Sequence, residues 1–365
     1  MPSVEEIRPF RIEIPQADLD ALQDRLSRTR FTDDLPDAGW DYGVPVTEVR
    51  RLATYWGTRY DWRRIEARLN AYPQFITTID RQNVHFLQVK SIRSDALPLI
   101  LTHGWPGSIV EFLPMIEKLR ERYHVVIPSL PGFGLSGPTR ERGWGPQRIA
   151  AAWAELMRRL GYGKYGAVGN DWGTFVSLDL GRIAPQAVVG VHVTQIFSGP
   201  SSDPADWEGL TEDERDALAG AAWFEANVGG YSVLQGQQPQ TLAHALNDSP
   251  VGFLGWVCQL YRGQVDADFI LDNLMLYWLT DTVASGIRIY YEYEHGRSAA
   301  GPSTVPLGLA QFANDTSPIR RFVERDHHNL VSWNVYDTGG HWAGHQEPEL
   351  LAADIHRFFE SLTSR

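Results

Sequence analysis

The chain has 365 residues, of which 43% are apolar and 21% are charged, so it can bury a sizeable core and is not disordered as a whole. Asp and Glu outnumber Lys and Arg by 45 to 33, and the resulting charge of −12 disfavours nucleic acid or an anionic membrane as the main partner. The single cysteine, Cys258, excludes an intrachain disulfide and a cysteine-based zinc site.

Residues 1–90 predict a helical segment that is followed by two strands. An amphipathic helix is predicted from Pro15, with leucines along one face. Phe75–Ile79 and Val84–Val89 have the composition of strands and are separated by a polar turn. The first residues are polar and acidic, unlike a secretory signal, and we expect a cytoplasmic protein without a membrane anchor.

From residue 97 onward, strands alternate with helices. Leu97–Thr102 is a continuous apolar run, which is typical of a strand that is buried on both faces. The other strands predicted in this part are Tyr123–Pro128, Tyr165–Gly169 and Val188–Val193, and the helices are Ile109–Arg122, Pro146–Leu160 and Thr174–Ile183. Such alternation predicts a mostly parallel sheet with helices on both faces.

The alternation stops over residues 197–284, which are rich in Gly, Asp, Gln and aromatic residues and contain helical patches. It then resumes with a helix over 285–294, strands over 307–312 and 329–335, and a helix over 347–362. We therefore predict three parts of one α/β protein: an N-terminal meander with the first strands over 1–90, a core formed by 91–196 and 285–365, and a helical lid over 197–284.

Ligands in open α/β sheets bind beyond the carboxyl ends of the strands, where this sequence places several polar clusters. Gly169–Gly173 has the G-x-S-x-G spacing of a nucleophile elbow, with Asp171 in place of serine. The flanking glycines permit the sharp turn from strand to helix, and the N–H of Trp172 is a candidate oxyanion donor. The alternative interpretation is an ordinary glycine-rich turn.

The identity of the nucleophile indicates which bond is cleaved. A serine that attacks an sp³ carbon would leave a stable ether, whereas Asp171 would leave an ester, whose carbonyl carbon water can attack. An aspartate elbow beside oxyanion donors therefore favours alkyl transfer followed by hydrolysis over serine-type esterase or peptidase chemistry.

His341 is the candidate base for the hydrolytic step, since it lies in a loop after a strand at the same sheet end. A histidine base needs a carboxylate that fixes its tautomer. We favour Asp315, with Asp281 and Asp337 as alternatives. His341 and His345 have i,i+4 spacing, but they lack the glutamate of the H-E-x-x-H zinc motif, so we expect no metal site.

Three segments together resemble the α/β-hydrolase-fold epoxide hydrolases: His103–Ser108, Gly169–Gly173 and Gly339–His341. The finer resemblance is to the microsomal and juvenile-hormone class and its bacterial relatives, which have an N-terminal meander around the hydrolase core. Further matching segments are Gly230-Tyr231, Ala245–Gly252, Tyr277–Thr280 and Gly339–Pro348. One departure is Ala313, where the family usually has proline two residues before the catalytic acid.

The resemblance implies a mechanism without metal or organic cofactor, in which a hydrophobic epoxide and water give a vicinal diol through an aspartyl ester. It implies two lid tyrosines that hold the epoxide oxygen; the matching positions are Tyr231 and Tyr290, with Tyr291 and Tyr293 as close alternatives. It also implies backbone oxyanion donors at Trp105 and Trp172. A second departure is Asp281, which either contacts the pocket or ends a helix.

Two other functions remain compatible with the sequence. A haloalkane dehalogenase would share the fold, the aspartyl nucleophile and the histidine base, but it would need indole or amide N–H donors for a halide. A non-catalytic binding protein on the same scaffold would be indicated by loss of a triad residue. The oligomeric state is open, and a homodimer is compatible with the sequence.

Overall fold

A nine-stranded sheet forms the centre of the computed structural model, which describes residues 6–296 and 301–363. Its spatial order is β1-β2-β3-β5-β4-β6-β7-β8-β9. The strands are β1 (Arg8–Phe10), β2 (Gln74–Ile79), β3 (Gln82–Val89), β4 (Leu97–Thr102), β5 (Tyr123–Pro128), β6 (Tyr165–Gly169), β7 (Val188–Val193), β8 (Leu307–Gln311) and β9 (Leu330–Val335).

The sheet has an antiparallel and a parallel half. β1 pairs with β2, β2 with β3, and β3 with β5, all antiparallel, whereas every pair from β5 to β9 is parallel. All residues of β5 and β6 are buried, as a strand covered by helices on both faces requires. The predicted mostly parallel sheet is confirmed, and the three-residue edge strand β1 is an addition that the sequence did not reveal.

The N-terminal segment contributes three helices, α1 (Gln16–Ser27), α2 (Val46–Thr58) and α3 (Trp62–Asn70). Helix α1 begins after Pro15 and helix α2 after Pro45. Helix α3 begins after Asp61, whose side chain accepts a hydrogen bond from the Arg63 N–H. The segment is fastened to the helical insertion, because Tyr60 Oη donates to Asp272 Oδ1 at 2.8 Å.

Of the helices that flank the parallel strands, three precede β7: α4 (Ile116–Arg120), α5 (Pro146–Arg159) and α6 (Trp172–Ile183). The single helix predicted over 109–122 is instead a 3₁₀ segment, Ile109–Met115, followed by α4. Pro114 lies inside that segment and has no N–H to donate to a helical ladder, which explains the departure from α-helical geometry.

Between β7 and β8, the described residues form helices and loops and no strand. The helices are α7 (Glu212–Asn227), α8 (Gly230–Gln237), α9 (Pro239–Asp248), α10 (Pro250–Tyr261), α11 (Ala267–Leu279), α12 (Val283–Gly286) and α13 (Arg288–His295). The one helix predicted over 285–294 is thus two short helices. Three helices complete the chain: α14 (Arg320–Asp326), α15 (Ala343–Gln346) and α16 (Pro348–Thr363).

The helices of the described segments are all too short or too polar to cross a membrane. The boundaries of meander, core and lid stay predictions. Helices α10 and α11 of the predicted lid pack against the N-terminal helices.

Candidate active site

The turn between β6 and α6 carries Asp171 in a strained backbone conformation. Its φ is 54° and its ψ is −125°, a region that non-glycine residues rarely adopt. The chain is very close-packed on both sides: a Cβ on Gly173 would lie 1.8 Å from the Thr102 carbonyl oxygen, and one on Gly169 would lie 2.1 Å from the Gly173 oxygen. Only glycine fits at these two positions, so the elbow predicted from the spacing has a steric basis.

The two carboxylate oxygens of Asp171 have different surroundings. Oδ1 accepts the backbone N–H of Trp105 at 2.8 Å, and the backbone N–H of Trp172 also donates to the carboxylate. A Cβ on Gly104 would lie 1.8 Å from Oδ1, so the loop after β4 can approach only because residue 104 is glycine. Oδ2 lies 3.6 Å from Nε2 of His341. One oxygen is therefore held by backbone donors, and the other faces the imidazole.

His341 and Asp315 come from two neighbouring loops after β9 and β8. A bridge between Asn314 and Gly340 joins these loops one residue before each side chain. His341 Nδ1 lies 3.4 Å from Asp315 Oδ1, so the imidazole has a carboxylate on each side. The structure thus brings together the three residues that the sequence predicts as nucleophile, base and acid.

The charges of this site perturb its pKa values. Burial would lower the pKa of His341, but the carboxylates of Asp315 and Asp171 and the hydrogen bond to Asp315 outweigh it and raise the pKa to about 9. Burial raises the pKa of Asp171, against the attraction of His341 and the hydrogen bonds of the two tryptophan N–H groups. At neutral pH the resting imidazole of His341 is therefore protonated, with the side chains of Asp315 and Asp171 on either side.

The two predicted lid tyrosines lie over the nucleophile loop. Tyr231, on α8, stacks on the Trp105 ring at a centroid distance of 5.7 Å, and Tyr290, on α13, packs edge-on against both Trp105 and Trp172. The two phenol rings are 5.9 Å apart. Burial, together with the charge of Asp171, raises the pKa of each phenol, which keeps both protonated.

The alternatives from the sequence lie elsewhere. Tyr291 and Tyr293 are 36% and 40% exposed, against 6% for Tyr290, although Tyr293 also touches the Trp172 ring. Asp337 is exposed, and Asp281 is exposed just after α11 in a left-handed conformation with φ of 56°. Asp281 therefore marks the end of a helix.

The His341/His345 pair does not converge on one point. His345 Nε2 lies 3.2 Å from Asp266 Oδ2, and its ring stacks on Phe269, whereas His341 faces the two site carboxylates. Within 6–296 and 301–363, no group of three or more His, Cys, Asp or Glu side chains is arranged as a metal site.

Gln195 is a site residue that the sequence analysis missed. It is 1% exposed and lies two residues beyond β7, at the same sheet end as the others. Its Oε1 accepts the N–H of Asp171 at 2.9 Å, and its Nε2 donates to Asp315 Oδ1 at 2.7 Å. The sequence signal that could have found Gln195 is its position, since it is a polar residue just after a continuous apolar strand.

Glu111 is the second residue that was missed. It is 1% exposed, and burial raises its pKa from 4.5 to about 8, so its carboxyl is protonated at neutral pH. Asn170 Nδ2 donates to Glu111 Oε1 and to the His341 carbonyl oxygen, each at 2.8 Å, which connects Glu111 to the triad loops. A lone glutamate inside the apolar run Ile109–Leu113 was the available signal.

Comparisons with known proteins agree with this architecture. Residues 7–112 match the family described as epoxide hydrolase N terminus, and residues 98–228 match the alpha/beta hydrolase fold. A Stigmatella aurantiaca protein that is provisionally named an epoxide hydrolase is 39% identical, over 98% of this chain and 86% of that protein.

Juvenile hormone epoxide hydrolase 1 of Ctenocephalides felis is 31% identical, over 96% of this chain and 84% of that protein. The crystal structure of juvenile hormone epoxide hydrolase from the silkworm Bombyx mori superposes with a TM-score of 0.90 at 25% identity, covering 98% of this chain and 95% of that one. These matches do not favour a dehalogenase or a non-catalytic protein.

Proposed function

We propose that this chain, which belongs to the epoxide hydrolase family of the α/β-hydrolase fold, hydrolyses its epoxide through Asp171, His341 and Asp315. The observation that carries these residue roles is the asymmetry of Asp171: Trp105 N–H holds Oδ1 at 2.8 Å, while Oδ2 faces His341. This is the arrangement that an alkylation followed by hydrolysis at the carbonyl carbon requires.

In the first step, Oδ2 of Asp171 attacks one carbon of the epoxide and the C–O bond of the ring breaks. The electron pair of that bond goes to the ring oxygen, and the phenols of Tyr231 and Tyr290 donate hydrogen bonds and then a proton to the developing alkoxide. Their raised pKa values keep the phenols protonated until that charge develops. The product is a hydroxyalkyl ester of Asp171.

Formation of the ester changes the imidazole. The carboxylate of Asp171 is one of the charges that raise the pKa of His341 to about 9, and alkylation removes it. The pKa of His341 then falls, and its proton replaces the one that the phenols gave to the alkoxide. The imidazole thereby becomes a neutral base at the stage when a base is needed. Asp315 keeps Nδ1 protonated and leaves Nε2 free to accept a proton.

In the second step, His341 Nε2 takes a proton from water, whose oxygen attacks Cγ of the ester. The negative charge that develops on Oδ1 is held by the N–H groups of Trp105 and Trp172. The bond from Cγ to Oδ2 breaks, the imidazolium protonates the leaving alkoxide, and the vicinal diol leaves with Oδ2. The remaining proton of the water, now on the Asp171 carboxyl group, passes to His341 and restores the carboxylate and the imidazolium.

The direct test is diol formation from aryl epoxides by the wild type and by Asp171→Asn. We expect the substitution to abolish turnover without loss of the folded state, as measured by circular dichroism and thermal unfolding. Unimpaired turnover of a folded Asp171→Asn protein would remove the covalent mechanism.

The proposal extends to the setting of the reaction. The aromatic rings around Asp171 favour a hydrophobic epoxide, and we propose a cytoplasmic enzyme that forms a homodimer. Exposed apolar side chains on α7 and α8, including Trp223, Phe224 and Val233, support self-association. Light scattering at several protein concentrations measures the oligomeric state, and a monomer at all of them would contradict the dimer.

A further inference from the structure

One buried amide reaches all three proposed triad residues. Gln195 Oε1 accepts the backbone N–H of Asp171 at 2.9 Å. Its Nε2 lies 2.7 Å from Asp315 Oδ1 and 3.0 Å from His341 Nδ1. The amide of Gln195 thus lies within 3.0 Å of a polar atom of each of the three residues.

The orientation of this amide follows from its partners. A backbone N–H can only donate, so the group facing Asp171 N must be the amide oxygen. The NH₂ group of Gln195 therefore faces Asp315 and His341. In the imidazolium state, the Nδ1–H of His341 and the amide N–H both point to Asp315 Oδ1, and the two nitrogens are neighbours because they share one acceptor oxygen.

We propose that Gln195 is a positioning residue that couples the nucleophile elbow to the Asp315–His341 pair, by holding the Asp171 backbone and the Asp315 carboxylate with a single amide. This inference rests on the roles proposed above for Asp171, Asp315 and His341.

The elbow needs such support because its backbone conformation is unfavourable. A non-glycine residue in a sparsely populated region costs on the order of 1–3 kcal/mol and persists only when its surroundings hold it. The amide oxygen of Gln195 holds the N–H of Asp171 and leaves the side chain of Asp171 free for chemistry.

The carboxylate of Asp315 also needs a second support. Its Oδ2 is buried and has no hydrogen-bond partner within the described residues, so Oδ1 carries the contacts to Gln195 and His341. Donation from Gln195 stabilises the negative charge of the carboxylate and fixes its rotation. Without this contact, Asp315 could turn away from Nδ1 of His341.

Three variants separate positioning from general stability. Gln195→Met keeps approximately the length of the side chain but loses both hydrogen bonds. Gln195→Glu keeps an acceptor for the Asp171 N–H but introduces a carboxylate beside Asp315. The matched control is Gln74→Met, because Gln74 is also a buried amide, on β2, and its hydrogen bonds go to His85 and helix α3 instead of the site.

Single-turnover kinetics with an aryl epoxide should show that Gln195→Met lowers the rate constants of ester formation and of ester hydrolysis by about 10- to 100-fold each, since misplaced reacting groups cost about that much. In steady-state kinetics of Gln195→Met, KM should change much less than kcat. The control Gln74→Met should keep wild-type rate constants. Wild-type rate constants in a folded Gln195→Met protein would overturn the proposal, as would equal losses in the control.

A second measurement needs no substrate and no methionine variant. The charges of Asp315, Asp171 and Glu111 all favour the protonated imidazole of His341, whose pKa is raised to about 9 against the effect of burial. NMR titration, with His341→Gln for assignment, should show a pKa at least about 0.5 higher in Gln195→Glu, because the added carboxylate favours the imidazolium. An unchanged pKa would overturn the coupling.

The two proposals fail in different ways. Absence of diol formation by the wild type would contradict the proposed function but would leave the titration arm readable. An active wild type with an unchanged Gln195→Met variant would contradict only the role of Gln195.

Discussion

Replacement of Glu111 by glutamine should change how the stability of the protein depends on pH. Glu111 is buried beside the triad, and burial raises its pKa from 4.5 to about 8. Glu111→Gln removes this titration and keeps an Oε1 that can accept from Asn170 Nδ2, as Glu111 does at 2.8 Å. The variant therefore isolates the cost of charging one buried carboxyl group.

The sign and size of the effect follow from linkage. Because the pKa is higher in the folded state, the folded protein keeps a proton that the unfolded chain releases between about pH 4.5 and pH 8. The wild-type free energy of unfolding, relative to the variant, therefore falls as the pH rises through this window. At about 1.4 kcal/mol per pKa unit the ceiling is about 5 kcal/mol, and we expect about 1–3 kcal/mol because water and side chains relax around a buried charge.

Urea unfolding of wild type and variant between pH 5 and pH 9 measures this difference directly. The titration of His341 occurs in both proteins and largely cancels between them. Glu121→Gln is the control, since Glu121 is exposed just after the same helical segment and its replacement should leave the curve parallel to that of the wild type. Parallel curves for wild type and Glu111→Gln would refute a protonated, buried Glu111.

Three further predictions concern activity. Tyr231→Phe and Tyr290→Phe should each slow ester formation, by about 10²–10⁴-fold in the double variant, in pre-steady-state kinetics; a double variant with wild-type ester formation would remove their role as acids. Gly104→Ala should reduce turnover strongly, because its Cβ would lie 1.8 Å from Asp171 Oδ1. Gly107→Ala is the control, since its Cβ would meet nothing closer than 3.5 Å, and similar turnover by the two variants would refute the close-approach argument. The acid limb of kcat/KM should lie above pH 3.8, since burial raises the pKa of Asp171 and only its carboxylate attacks; a limb below that pH would contradict the raised value.

The positions of Asp171 and His341, the proposed nucleophile and base, could be predicted because such chemistry constrains the local sequence. An elbow needs glycines where Gly169 and Gly173 stand, since a Cβ at either position would collide with backbone oxygen. The strand before Asp171 and the helix after it are both visible as apolar patterns. His341 follows from the rule that site residues lie beyond the carboxyl ends of parallel strands.

The supporting residues were not predictable from a motif. The hydrogen bonds and burial of Gln195 and Glu111 depend on how five strands and a 3₁₀ segment come together. A single glutamine or glutamate also forms no motif with a spacing that could be recognised. Tyr290 could be distinguished from its neighbours only by the orientation of α13, which buries Tyr290 and leaves Tyr291 and Tyr293 more exposed.

The elements that differ from prediction have local causes. Pro114 interrupts the hydrogen-bond ladder of the helix predicted over 109–122, which begins as a 3₁₀ segment. The strand β1 is three residues long, includes Pro9 and lies at the sheet edge, where a residue without an N–H is tolerated, so it has no strand signature in the sequence.

Replacement of the base, His341→Gln, tests the covalent intermediate on Asp171. Without the base, the ester on Asp171 should accumulate when the variant is exposed to an aryl epoxide that the wild type hydrolyses. Intact mass spectrometry should then show a gain of one whole epoxide, and peptide mapping should locate it on Asp171. A parallel panel of haloalkanes tests the alternative: a mass gain equal to a haloalkane minus hydrogen halide, with no gain from epoxides, would indicate a dehalogenase. An adduct on another residue, or no adduct at all, would contradict the mechanism.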